Sequence, residues 1–385
     1  MTEKRGKVVV AMSGGVDSSV TACLLVEQGY DVMGLFMRVG AEAAEPTPEA
    51  ACATASSHQG CCSAADAGDA RLVAGILGIP FYSLNFEAEF DRLIEDFADE
   101  YVRGRTPNPC IVCNDRLKFR KLLDYADAVG AGYVATGHYA RIGPPDGPLD
   151  GGDPRGLEPA ARNFLMRGRD PEKDQSYVLF GLEPKVLDRV LFPIGGYNKT
   201  EVRELADRFD LPNRDKPDSQ EICFAPDRDY ARVVKQRRPD AFVEGDVVNT
   251  AGDVVGRHKG IGHYTIGQRR GLGIAAGRPI YVTQLDVPSN TVTVGDGDDL
   301  LRSALVADKV RYLVAAPSDP FHADVKIRYL HKAAPATVYP LGGDQVRVVF
   351  DNPQRAITPG QAVVFYNNDV VIGGGWIDRA ESGAE

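Results

Sequence analysis

Residues 7–29, KVVVAMSGGVDSSVTACLLVEQG, constrain most tightly what this chain can fold into. A short β-branched run bounded by glycine and serine predicts a buried strand over 6–12. The pattern SVTACLLVEQG predicts a helix that stops at Gly29. Between them lies SGGVDSS. Gly14 and Gly15 let the backbone bend closely around an anion. A helix starting near Ser18 turns the positive end of its dipole toward that anion. Ser13, Ser18 and Ser19 add hydroxyl donors. Asp17, an acid among phosphates, either binds magnesium or orients the loop. No GK[ST] follows, so this is not a Walker A loop. Two glycines alone would equally permit a plain turn with an N-capping serine.

The pattern then alternates. YDVMGLFM, IPFYSLNF and GYVATGH read as strands. Helices are expected near 64–78, over 87–104 and over NDRLKFRKLLDYADAVG. Strands alternating with helices imply a parallel, doubly wound sheet. The stretch RVGAEAAEPTPEAACATASSHQG reads as weakly structured, and the proline- and glycine-rich 142–162 as a surface loop. Past about residue 240 come short strand-like runs with glycine turns and no long helix, which suggests a small β-rich module and then a terminal barrel or sandwich. The expected organisation is an α/β domain over 1–224, a small β-rich central domain over 225–290 and a C-terminal β-barrel over 291–385. At 385 residues, two or three domains are the prior.

The longest apolar runs are strand-length, far short of a membrane span, and MTEKRGKVVV lacks the apolar core of a secretory signal. The expectation is a cytoplasmic protein without a membrane partner. Its seven cysteines are then reduced, and paired ones suggest metal binding or catalysis before disulfides. Cys110 and Cys113 sit in TPNPCIVC, read as a proline-rich loop. Asn114 of NDRLKF looks like a helix cap, so the dipole and Arg116 would favour a Cys113 thiolate. Cys223 lies in DSQEICFA, also loop-like. Cys23 faces inward on the first helix as a small core residue; Cys52, Cys61 and Cys62 receive no role.

SGGVDSS in this setting resembles the PP-loop signature of the N-type ATP pyrophosphatases, whose adenine nucleotide alpha hydrolase-like domain cleaves ATP between the α and β phosphates and adenylates an oxygen. The resemblance implies that Ala11, Met12, Ser13, Gly14, Gly15, Val16, Asp17 and Ser18 bind ATP with Mg2+. Met37 and Gly137 end strands where ligands bind in open parallel sheets, although either could be plain packing or a turn.

The resemblance narrows further. GRTPNPC, CNDRLKF, ATGHYAR, KDQSYVL, FPIGGYNKTEVRELA, DSQEICF, TIGQRRGLG and TPGQAVVFY, in this order, resemble the tRNA-specific 2-thiouridylase family. That family replaces the C2 oxygen of the wobble uridine with sulfur. The resemblance implies that Cys223 receives sulfur as a persulfide and that Cys113 attacks it, leaving a Cys113–Cys223 disulfide. It places Asn108, Pro109 and Cys110 against the flipped target base of the anticodon loop. His138, Lys173, Asp174, Gln175, Arg328, Tyr329 and Gln361 would contact tRNA. A sulfur-relay protein or sulfide would be the donor.

Cys110 departs from the family pattern, in which many members carry aspartate. Cys110, Cys113 and Cys223 then make a three-thiol set able to hold a [4Fe–4S] cluster with one open iron. Cluster, persulfide relay and a merely substituted loop residue all remain open at this point.

A net charge of −10 argues mildly against a nucleic-acid partner, yet charge placement decides. RLKFRKLL, RVVKQRR and RHKGIGHYTIGQRRG are solvated faces on the ordinary reading, and together could trace a phosphate path. Two further classes compete: a PP-loop ligase adenylating a small metabolite, which leaves the cysteines and β-rich tail unexplained, and a non-catalytic nucleotide or iron–sulfur binder.

Overall fold

The computed structural model describes residues 5–40, 63–144, 163–218, 222–225, 227–274 and 277–382. The weakly structured stretch beyond residue 40, most of 142–162, and Cys52, Cys61 and Cys62 lie outside the described residues. The chain divides into two compact units, one of Met1–Arg92, Val112–Pro144 and Leu165–Arg228, the other of Leu93–Ile111, Pro145–Phe164 and Asp229–Glu385.

In the first unit, the chain order is β1 (Lys7–Ala11), α1 (Val16–Glu27), β2 (Asp31–Arg38), α2 (Ala64–Leu77) and β3 (Phe81–Asn85). Next along the chain are α3 (Glu87–Val102) and α4 (Pro109–Val112), most of whose residues belong to the second unit; the first unit resumes with a π-helical stretch (Cys113–Phe119), α5 (Arg120–Ala128) and β4 (Tyr133–Ala135). The short β5 (Ala140–Gly143), β6 (Phe164–Arg167) and β7 (Val190–Leu191) precede α6 (Lys199–Arg208). Val8, Val9 and Val10 are wholly buried because β1 is the middle of a five-stranded sheet, order β3-β2-β1-β4-β7. Its neighbouring strands all pair parallel, as the alternation implied. From β1 the order runs outward in both directions, so the carboxyl ends of β1 and β4 flank a topological switch point, where such sheets bind ligands.

Helix α1 is buried at nearly every position from Val16 to Leu25. It lies against β1, α2 and α6, which is why its sequence carries no polar stripe. Cys23 belongs to this core, and burial pushes its thiol up to about 11. Reciprocal side-chain caps start α2 (Ser63 with Asp66) and α6 (Asn198 with Glu201).

One local expectation is corrected. The segment read as loop up to Cys113 is helical from Pro109, and Asn114 is not its cap. Proline fits a first helical position, and the Asn108 side chain accepts from the Cys110 amide at 3.1 Å. Asn114 is buried inside the helix, donating to the Val178 carbonyl at 3.1 Å. Cys113 therefore opens a π-helical stretch, a rare geometry found mostly at functional sites.

The second unit contains α7 (Tyr230–Arg237), then β8 (Gly245–Asn249), β9 (Val254–His258), β10 (Tyr281–Asp286) and β11 (Thr291–Gly295). These four strands form a sheet of order β10-β11-β8-β9 over Val247, Val282, Val292 and Val294. The remaining strands are β12 (Leu301–Tyr312), β13 (Phe321–Lys326), β14 (Ala334–Gly342), β15 (Gln345–Arg355), β16 (Ala362–Asn367) and β17 (Val370–Glu381). Their order, β12-β15-β14-β13-β16-β17, closes through β12–β17 pairing into a six-stranded barrel. Val346, Val348 and Phe350 show the alternation that fills it. Closure resolves barrel against sandwich and removes the exposed edges of an open sheet. Among the described residues no helix is long and apolar enough to cross a membrane.

Candidate active site at the nucleotide loop

The chain leaves β1 and turns through Met12–Gly15 into α1. Gly14 has φ +75°, and a Cβ there would overlap the Asp66 carbonyl, so only glycine fits this close approach. The serine hydroxyls are engaged within the loop itself. Ser18 and Ser19 hydroxyls donate to the Gly15 carbonyl at 3.0 and 2.9 Å, and the Ser13 amide donates to Ser18 Oγ at 3.2 Å. They fix the loop's own shape; Ser13, the exposed one, also donates its hydroxyl to Ser18 Oγ at 3.3 Å. Gly15 is the N-cap of α1 with no side-chain hydrogen bond, which leaves first-turn amides of α1 for an anion.

Around this loop stands a set of charges that the sequence reading missed. Asp17 Oδ1 accepts from Lys199 Nζ and from the Tyr139 hydroxyl, each at 2.8 Å. Lys199 also reaches Asp218 at 2.7 Å, and Asp218 accepts from Lys173 at 2.8 Å. Burial opposes charge on Asp218, yet hydrogen bonds from Lys173 and Lys199 hold its carboxyl below the ordinary range. Burial and then the Asp17 charge push Tyr139 far up, so it stays a neutral donor. Asn213 donates to the Gly14 carbonyl and to Ser19 Oγ, both at 3.0 Å. Lys216 donates to the Gly14 carbonyl at 3.1 Å and to Asp66 and Asp69 at 2.6 Å. Burial alone would lower Lys216; its two carboxylates outweigh that and raise it.

Of the two readings of Asp17, this geometry favours orienting the loop. Its Oδ1 already faces an ammonium and a hydroxyl. Among the described residues, moreover, no three His, Cys, Asp or Glu side chains gather around a metal position.

Gly137, just past β4, backs onto the loop: a Cβ there would lie 2.8 Å from the Asp17 carbonyl carbon and the Ser18 nitrogen. Gly137→Ala is expected to displace the start of α1 and weaken ATP binding about tenfold or more, by the usual cost of overpacking. An ATP titration showing unchanged affinity would refute that. Met37, at the end of β2, is half-buried beside Leu84.

Cys113 and Cys223 both belong to the unit that carries the loop, and both are half-buried; Cys110 is exposed. Beside Cys223, the Phe224 ring packs edge-on against Phe90, centroids 6.0 Å apart.

Several residues expected to touch tRNA are committed elsewhere. The His138 ring is enclosed between Phe119 and Phe192 and bonded to Thr136, and burial holds it neutral. Asp174 is buried and accepts from the Gly168 and Ser176 amides, and Gln175 binds the Tyr139 backbone through its side chain and its amide. In this structure His138 and Asp174 are buried and Gln175 is partly exposed. Lys173 is partly exposed on Asp218. In the second unit, Arg328 donates to the Arg355 carbonyl, Lys326 stands over the Tyr329 ring, and Gln361 donates to the Thr106 carbonyl. The basic run at 232–238 is partly neutralised, since Arg237 and Arg238 pair with Glu95 and Asp99. Arg269 and Arg270 are exposed.

Comparison with known proteins covers nearly the whole chain. Residues 6–227 match the family described as tRNA methyl transferase HUP domain, 231–296 its PRC-barrel domain, and 302–377 the aminomethyltransferase beta-barrel domain. The tRNA-specific 2-thiouridylase MnmA of Geobacter metallireducens is 51% identical over 99% of both chains. That of Symbiobacterium thermophilum is 49% identical over 97% of this chain and 92% of its own. A 4-thiouridine synthetase solved with RNA and ATP aligns with 61% of this chain and 51% of its own at 18% identity and a TM-score of 0.36, too loose to carry an argument.

Proposed function

Since the chain belongs to the tRNA-specific 2-thiouridylase family, we propose that it thiolates the wobble uridine of tRNA at C2 by a two-cysteine relay. The activity itself is ATP-dependent tRNA-uridine 2-sulfurtransfer, with ATP converted to AMP and pyrophosphate. The observation that carries the relay is the presence, in one compact unit, of the Ser13–Ser18 loop, its Lys199 and Lys216 cations, and both Cys113 and Cys223.

The roles follow from the chemistry. Amides at the start of α1 hold the departing pyrophosphate. Lys199 and Tyr139 hold the Asp17 carboxylate in place beside the loop. The C2 oxygen attacks the α phosphorus, and pyrophosphate leaves. A donor of persulfide sulfur loads Cys223. Cys113 thiolate attacks Cys223 Sγ, forming the Cys113–Cys223 disulfide and releasing hydrosulfide. Hydrosulfide attacks C2, and AMP departs with the original oxygen. A dithiol reductant then restores both thiols. Asn108, Pro109 and Cys110 form the segment against the flipped base, and Lys173, Arg328 and Tyr329 contact the tRNA. The functional domains are 1–224, 225–290 and 291–385.

A second reading keeps one sequence observation, Cys110 in a CxxC with Cys113. Three thiolates from Cys110, Cys113 and Cys223 would hold a [4Fe–4S] cluster with one open iron. Iron content and absorbance after anaerobic purification separate the two readings. ATP-to-AMP turnover that tRNA stimulates separates both from a small-metabolite ligase, which needs no tRNA.

The protein's net charge of −10 adds a condition. Attraction to tRNA must come from local cations, so affinity is expected to fall about a hundredfold or more between about 50 and about 200 mM salt. Salt-independent binding would contradict this.

A further inference from the structure

We propose that Arg105 and Gln361 are positioning residues which brace residues 104–107 against the barrel and thereby hold Asn108–Cys110 in place for the target base. The proposal rests on the reading that this segment meets the base.

Both backbone polar groups of Thr106 are taken by the turn that precedes β16. Its amide donates to the Pro359 carbonyl at 2.9 Å, and its carbonyl accepts from Gln361 Nε2 at 2.7 Å. Gly360, at φ +88°, allows the approach: a Cβ there would sit 2.9 Å from the Arg105 Cβ and the Thr106 nitrogen. Arg105 is the second clamp. Its guanidinium meets Glu100 at 2.7 Å, the Ile377 carbonyl at 3.2 Å and Asp378 at 3.5 Å. The Arg105 side chain is only 21% exposed, and its amide donates to the Glu100 carbonyl at 2.9 Å. Thr106 Oγ1 lies 3.4 Å from Thr265 Oγ1. The chain thus emerges from the clamp two residues before Asn108, whose side chain starts α4.

A recognition loop held this way is preorganised, and small misplacement costs turnover more than binding. Gln361 suits the task because its amide can donate to a carbonyl where a carboxylate could not. Arg105 suits it because a planar fork meets several acceptors at once, which lysine cannot do.

The test is steady-state thiolation by the full chain with ATP, tRNA and a persulfide donor. Arg105→Gln and Gln361→Leu are each expected to lower kcat about tenfold or more, with KM for tRNA and ATP within about threefold. Arg105→Lys should recover less than half of the loss. The double variant should fall well short of the product of the single effects, since both act on one loop. Raised KM for tRNA with kcat intact would overturn the proposal and make these residues ordinary tRNA ligands; unchanged kcat and KM would overturn it too. If Arg105→Gln does not fold, Gln361→Leu, which removes one hydrogen bond, decides alone. A wild type that turns over ATP without thiolating tRNA would instead sink the parent reading.

Discussion

Cys223→Ser should abolish sulfur transfer, lowering single-turnover thiolation by about a thousandfold or more, as removal of a covalent participant does. ATP and tRNA should still bind, and the tRNA-dependent release of pyrophosphate should persist, because Cys223 enters only after adenylation. Cys113→Ser should stop one step later. Cys223 would still accept the persulfide, and labelled sulfur would accumulate on the protein rather than on tRNA. Cys110→Ala is the informative contrast. The relay assigns Cys110 no sulfur chemistry, so its loss should cost far less than that of either partner, whereas a cluster needs all three thiols equally. Equal and complete loss in all three variants would exclude the relay.

The second large effect falls on Lys199. It sits between Asp17 and Asp218 with its side chain 13% exposed, so Lys199→Ala leaves two carboxylates facing each other beside the pyrophosphate cradle. ATP-dependent adenylation should drop about a hundredfold, the scale at which loss of one preorganised charge acts on a transition state. Folding stability should fall by about 2 kcal/mol, less than a fully buried pair would cost, because both carboxylates retain some solvent. Lys199→Arg should recover stability more than activity, since a guanidinium can pair with both acids but cannot hold the same point-charge geometry. Pyrophosphate release measured with saturating ATP and tRNA checks the first statement, and urea unfolding the second. A Lys199→Ala enzyme with full adenylation would remove Lys199 from the site.

These two predictions also show what could be read in advance. The strand at Val8–Val10 and the helix behind it were legible because a central strand and a fully buried helix leave unbroken apolar runs. The glycine loop was legible because close approach restricts residue type locally, as Gly14 and Gly137 show. Lys199 was not: its partner Asp17 lies 182 positions away, and nothing in GGYNKTEV marks that lysine as different from a solvated one. The same holds for Asn213 and Lys216 on the Gly14 carbonyl. Helix α4 was missed for another reason. Asn-Pro reads as a turn, and here it starts a helix, with proline at the first helical position. The burial of His138 and Asp174 was not legible either, since a resemblance locates a position without saying how its side chain packs.

The most direct test of the two-cysteine relay is mass spectrometry of the protein after one anaerobic turnover with ATP, tRNA and a persulfide donor, in the absence of reductant. The relay predicts one Cys113–Cys223 disulfide for each thiolated uridine, with iron-free protein fully competent. Thiolated tRNA formed while both thiols stay reduced, in proportion to bound iron, would contradict it.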